Sequence, residues 1–221
     1  MPSPASASTI PRVLLTGFDA FGGESLNPSW MAVHALHGRR ISGHQLVAAQ
    51  LPTVFDDSLA ELAQLLRLHK PSLVLCVGQA GGRAAISLER VAINVNDARI
   101  ADNAAAQPID TPVVDGGPAA YFSTLPIKAM LQALQHEGIA AEVSQTAGTF
   151  VCNHVFYGLM HHLATRRGFK NTRGGFVHVP YLPEQGSPGM PLQEQVRALR
   201  VAVRAALATQ RDIAQGAGAL S

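Results

Sequence analysis

Cysteine, aromatic side chains, charge and long apolar runs are all scarce in this 221-residue chain, and each scarcity removes a class of protein. The 2 cysteines, Cys76 and Cys152, form neither a CxxC redox pair nor a zinc-ligand spacing, and they are too few for a disulfide framework. Charged residues make up 14% of the chain, 17 basic against 15 acidic for a net charge of +2, and the basic ones gather in no block. That pattern excludes the electrostatic footprint of a nucleic-acid partner. No apolar run approaches the roughly 18 residues needed to cross a bilayer, so no membrane partner is expected. Residues 1–9 lack the apolar core of a signal peptide, and a cytoplasmic location with reduced thiols is expected.

What is plentiful is apolar content, at 47%. It excludes disorder, and a chain of this length buries enough surface to need no metal or disulfide. One domain over residues 11–215 is expected, with a disordered tail at 1–10 and a frayed end at 216–221. Arg12–Gly17 and Leu73–Gly78 are apolar runs that stop at glycine, as buried strands do. Residues 44–51, 139–144 and 176–179 read as further strands, and 84–96 as one or two. Asn27-Pro28 starts a helix that continues to Gly38, with asparagine as cap and proline in the first turn. Thr53 or Asp56 is expected to cap a second helix reaching His69. Further helices fall near 126–136, 152–166 and 191–211. The stretch 100–118, rich in Asp, Asn, Gln, Gly and Pro, reads as a long loop.

This alternation predicts an α/β fold, a three-layer α/β/α sandwich around a mostly parallel twisted sheet. Ligands of such sheets bind outside the carboxyl ends of the strands, where the loops 18–27, 79–83 and 145–153 follow strand ends. The glycine turns at 17–23 and 78–83 miss both the GxGxxG pattern and the P-loop lysine, which discounts a nucleotide. Phe18 and Phe21, three apart beside flexible backbone, suit a small apolar pocket with peptide groups exposed.

Cys76 is flanked by aliphatics and reads as a small buried hydrophobe. Cys152 opens an apolar helix after a turn-like stretch. It is either structural or a thiol whose pKa the helix N-terminus lowers toward thiolate. A thiolate nucleophile needs an imidazole. Among 9 histidines, His178 stands alone in a strand just before Pro180, either as a satisfied core residue or as the partner of Cys152. Glu89, in an otherwise apolar segment, either pairs locally with Arg90 or orients that imidazole. Arg99 either pairs with Asp97 or Asp102, or holds a carbonyl oxygen.

Six blocks then carry a resemblance. They are Leu14 to Gly23 with Asn27-Pro28-Ser29-Trp30, Cys76 to Arg83, Glu89 to Asn94, Gly116 to Tyr121, Ser144 to His154, and His178 to Gln185. In this order they resemble the pyroglutamyl-peptidase I (pyrrolidone-carboxylate peptidase) family of cysteine peptidases, from about residue 12 to 185. The resemblance implies a catalytic cysteine at Cys152, histidine at His178 and glutamate at Glu89, with Arg99 near the reacting carbonyl. It implies that Phe18, Phe21, Asn27 and, in the adjoining turn, Gln79 line the substrate pocket. It also implies a cytoplasmic homo-oligomer, tetramer or dimer, with neither metal nor organic cofactor, acting on N-terminally pyroglutamylated peptides through a thioester. Ala20 and Leu88 depart from prolines common in that family, without removing a catalytic group. The alternative is a non-catalytic module of the same fold that binds pyroglutamyl or another small ligand.

Overall fold

β1 (Arg12–Phe18) and β4 (Leu73–Gln79) occupy the middle of a seven-stranded sheet because their side chains are apolar on both faces. The two-residue period sends alternate positions into separate cores. Val13, Leu15, Leu73, Leu75 and Val77 enter one, while Leu14, Phe18, Val74 and Cys76 enter the other. The computed structural model that shows this describes residues 10–218, so residues 1–9 and 219–221 of the expected tails lie outside it.

The remaining strands of the sheet are β2 (Arg40–Ile41), β3 (His44–Leu51), β5 (Ile86–Glu89), β8 (Ala141–Ser144) and β9 (Arg173–Val179). Their order is β2-β3-β1-β4-β9-β5-β8. The four strands β3, β1, β4 and β9 are parallel, but β5 runs antiparallel to β9 and β8 runs parallel to β5. β9, the last strand in the sequence, therefore lies between β4 and β5, which the chain lays down consecutively. A two-stranded antiparallel ribbon of β6 (Val91–Ile93) and β7 (Ala120–Phe122) closes off the irregular stretch from 94 to 119.

Helices cover both faces. α1 (Pro28–His34), α3 (Ile127–His136) and α5 (Leu192–Ala208) pack on the Val77 side, and α2 (Phe55–His69) and α4 (Val151–Thr165) on the Cys76 side. The expected α/β/α sandwich is the observed one. Asn27 caps α1 with Pro28 in its first turn, as the sequence predicts. The helix stops at His34, short of Gly38, and a tighter turn carries the chain to β2. α1 lies close against β1 because Gly17 has no side chain: a Cβ there would come within 2.6 Å of the Trp30 backbone.

Neither Thr53 nor Asp56 caps α2, whose N-terminus has no side-chain cap from its own flank. Asp102, buried in the long loop, does that work. Its Oδ2 accepts the Phe55 N–H at 3.0 Å, and its Oδ1 accepts those of Ala104 and Ala106 at 2.9 and 2.8 Å. One carboxylate thus satisfies a helix start and folds the loop. Similarly, Asp212 beyond α5 accepts the Lys128 and Ala129 N–H groups at the start of α3. Asp102→Ala is expected to lower unfolding free energy by about 1–2 kcal/mol, the loss typical of a removed cap. Urea denaturation would show it as a lower midpoint with an unchanged slope.

Candidate active site

The sheet register collects the reactive side chains. Gly78 on β4 is paired with His178 on β9, and β5 pairs Ser87 with His178 and Glu89 with Phe176. Paired positions face the same way, so Gly78, His178, Phe176 and Glu89 all point toward the α4 layer. The His178 Nδ1 lies 2.8 Å from Glu89 Oε1, both side chains buried. A carboxylate only accepts, so Nδ1 carries the proton and Nε2 keeps its lone pair.

α4 brings the sulfur to the same face. Val151 opens the helix, and the side chain of Cys152 descends onto the sheet over Gly78, where a Cβ would sit 2.7 Å from Cys152 Sγ. Gly78 is the seat of that sulfur. Adjacent strands are about 4.8 Å apart, so the sulfur and the His178 ring sit over neighbouring strands on one face. The first N–H groups of α4 have no intrahelical acceptor and no side-chain cap.

Partial solvent access does not leave the thiol acidic. Burial pushes Cys152 up to about 12, the Glu89 carboxylate adds to the rise, and the Arg83 guanidinium works against it. The shift is thus opposite in direction to the lowering expected from the helix N-terminus, and burial is its largest cause. Cys76 is fully buried and likewise pushed up to about 12 by burial, in keeping with a packing role. His154 turns away from Cys152, its Nδ1 2.9 Å from Asn96 Oδ1, and burial pushes it down to about 4.

The expected pocket residues divide. Phe21 is half-buried with its ring 6.0 Å from that of Phe150, the residue before α4, and Phe55 stands edge-on to Phe150 at 5.4 Å. Phe18 is buried, its ring 6.4 Å from that of Phe176. Asn27 is turned to other work: its Oδ1 accepts the Ser29 N–H and hydroxyl, and its Nδ2 donates to the Asp19 carbonyl. Gln79, one residue past Gly78, leaves the sheet on the opposite face and meets Gln185 at 3.3 Å. Arg99 pairs with neither Asp97 nor Asp102. It is exposed, and no hydrogen bond among the described residues ties it to Cys152, His178 or Glu89. Its loop is fastened nearby, since the Asp97 N–H donates to the Thr149 carbonyl and the Thr149 hydroxyl donates back to the Asp97 carbonyl.

The partner of Glu89 is not Arg90, whose guanidinium reaches toward the Ala217 carbonyl. It is Arg83, from the turn after β4, at 2.7 Å. Sequence reasoning quoted Arg83 inside a glycine turn and gave it no task. A signal was present, because a carboxylate flanked by aliphatics requires a cation from elsewhere. Among the described residues no three His, Cys, Asp or Glu side chains gather as metal ligands, and no helix is long and apolar enough to cross a membrane.

Residues 11–209 match the pyroglutamyl peptidase family profile. The chain belongs to the pyroglutamyl peptidase family. A relative from Cupriavidus taiwanensis, named pyrrolidone-carboxylate peptidase, is 57% identical over 96% of this chain and 100% of its own length. Another so named, from Bacillus cytotoxicus, is 53% identical over 93% and 97%. The crystal structure of pyroglutamyl peptidase I from Bacillus amyloliquefaciens superposes with a TM-score of 0.91 at 48% identity, covering 94% of this chain and 100% of that one. A mutant pyrrolidone carboxyl peptidase from Pyrococcus furiosus gives a TM-score of 0.86 at 42% identity, over 89% and 98%. The pyroglutamyl peptidase match spans the sheet and all five helices, and with them Glu89, Cys152 and His178.

A thiol whose pKa is raised reacts with alkylating agents in proportion to its small thiolate fraction. In a Cys76→Ala background, the rate of Cys152 modification by iodoacetamide is therefore expected to climb about tenfold per pH unit between pH 7 and 10. Peptide mass spectrometry would follow it. A rate already level at neutral pH would contradict this account.

Proposed function

We propose that this cysteine peptidase removes an N-terminal pyroglutamyl residue from peptides through a thioester on Cys152. The observation that carries the reading is the buried His178–Glu89 hydrogen bond at 2.8 Å, on the sheet face where α4 sets the sulfur. Burial favours the neutral thiol, so in this mechanism attack and proton transfer go together. His178 Nε2 takes the thiol proton as sulfur adds to the acyl carbon. Glu89 holds the tautomer that makes this possible and stabilises the imidazolium. The oxygen of the tetrahedral intermediate is met by the unpartnered amides at the start of α4, including that of Cys152. Arg99, on the loop that Asp97 fastens to Thr149, is the cation available to the same oxygen. His178 then protonates the departing amine and activates the water that cleaves the thioester.

The pyroglutamyl ring is a neutral, flat lactam. Phe21, walled by Phe150, offers it an apolar face. With Asn27 occupied in shaping the 18–27 loop and Gln79 turned away, the lactam N–H and C=O are assigned to backbone groups of that loop. Site groups left unpaired are costly, so proline, which lacks the ring carbonyl, is rejected. A binding-only module would have no use for a tautomer-fixed imidazole beside a seated thiol, and nothing in the site favours it. The homo-oligomer and cytoplasmic location implied by the resemblance accompany this reading. Phe122, 69% exposed on β7, is apolar surface of the kind a second copy covers.

Hydrolysis of a pyroglutamyl reporter amide is expected, with prolyl amide turned over at least about a hundredfold more slowly. Cys152→Ala should abolish release and Cys76→Ala should retain it. Equal loss in two folded variants would sink the assignment of the nucleophile.

A further inference from the structure

We propose that Arg83 is a positioning residue of this peptidase, bracing Glu89 and the turn that leads into Cys152 with one guanidinium. The inference rests on the assignment of Cys152, His178 and Glu89 above. Glu89 is fully buried, and both of its contacts fall on one oxygen: His178 Nδ1 at 2.8 Å and Arg83 Nη1 at 2.7 Å. Oε2 has no partner. A neutral imidazole donates a hydrogen bond but does not balance a charge. Arg83 is thus the one permanent cation in hydrogen-bond reach of this carboxylate among the described residues.

The balance decides a tautomer. While Glu89 is ionised it can only accept, and His178 must place its proton on Nδ1. Without the guanidinium, a buried carboxylate gains by taking up a proton. It then donates to Nδ1, and the ring proton moves to Nε2, the nitrogen that must receive the proton of Cys152. The substrate pocket is untouched by that exchange.

The other arm of the guanidinium faces the nucleophile. Arg83 Nη2 donates to the Thr146 carbonyl at 3.1 Å. The Thr146 turn is held further by Ser144, whose hydroxyl donates to the same carbonyl at 3.0 Å, and by the Gly148 N–H on Thr146 Oγ1 at 3.0 Å. Three residues after Gly148, α4 begins. A planar fork spans both acceptors, whereas the single point of a lysine ammonium cannot. The fork itself is set by the Gly81-Gly82 turn. Gly82 takes a positive φ of 79°, and Gly81 lies so close to the Tyr181 ring that a Cβ would come within 2.3 Å of it.

The test is steady-state kinetics on a pyroglutamyl reporter amide with Arg83→Met, Arg83→Lys, Glu89→Gln and the Arg83→Met/Glu89→Gln double variant. Arg83→Met is expected to lower kcat by about 10- to 100-fold, as loss of an orienting partner does, with KM within about threefold. Millimolar guanidinium should restore part of that loss in Arg83→Met and none in Glu89→Gln. On the Glu89→Gln background the same change should cost less than about threefold, because the two act as a unit. A kcat near the native value, fully additive losses, or a change confined to KM would overturn the proposal. If Arg83→Met does not fold, Arg83→Lys decides: a kcat lowered about three- to tenfold supports the fork, and a native kcat refutes it. Cys152→Ala runs alongside. Activity surviving there would show the site assignment at fault, separately from Arg83.

Discussion

The insertion of β9 between β4 and β5 is the constraint on which the rest of the molecule depends. Strand spacing in a sheet is fixed by backbone hydrogen bonds, so side chains on one face of three adjacent strands are held close together. Gly78 is paired with His178, and Glu89 with Phe176, the next side chain along the same face of β9, so the strands themselves bring the three together. The helix α4 then has one task at this site, to lower a sulfur onto Gly78, a strand position without a side chain.

Electrostatics follow from that burial. The sheet face offers no water to Glu89, which leaves its charge to be met by protein groups, and it offers little to Cys152, which keeps its proton. Burial thus favours the neutral thiol. In the proposed mechanism the work falls to an imidazole hydrogen-bonded to Glu89 and to helix amides without a side-chain cap. Both gain most when charge moves during reaction, which is where preorganised groups contribute most.

Much of this was legible in the sequence, for physical reasons. The strand at 44–51 has its observed bounds, and β1, β4, α3, α4 and α5 fall within a few residues of expectation, because their apolar periodicity and terminating glycines are local signals. Cys152, His178 and Glu89 were each conspicuous as reactive groups in apolar company. What escaped was non-local. Strand direction cannot be read from composition, so the reversal of β5, which brings Glu89 into the sheet from the opposite sense, was not foreseen. The parity of a side chain at a strand's end decides its face, and Gln79 falls on the wrong side of Gly78. Caps supplied from distant loops, as Asp102 does for α2, leave no mark beside the helix they serve.

The late arrival of β9 has a bearing on the newborn chain. Synthesis delivers the N-terminal part first, and that part already contains the sulfur and the acidic group. Before residues 173–179 emerge, however, the strand that pairs with both β4 and β5 is missing, and His178 with it. In the proposed mechanism the sheet and the peptidase site are therefore completed by the same strand, and a chain that stops short of β9 has neither.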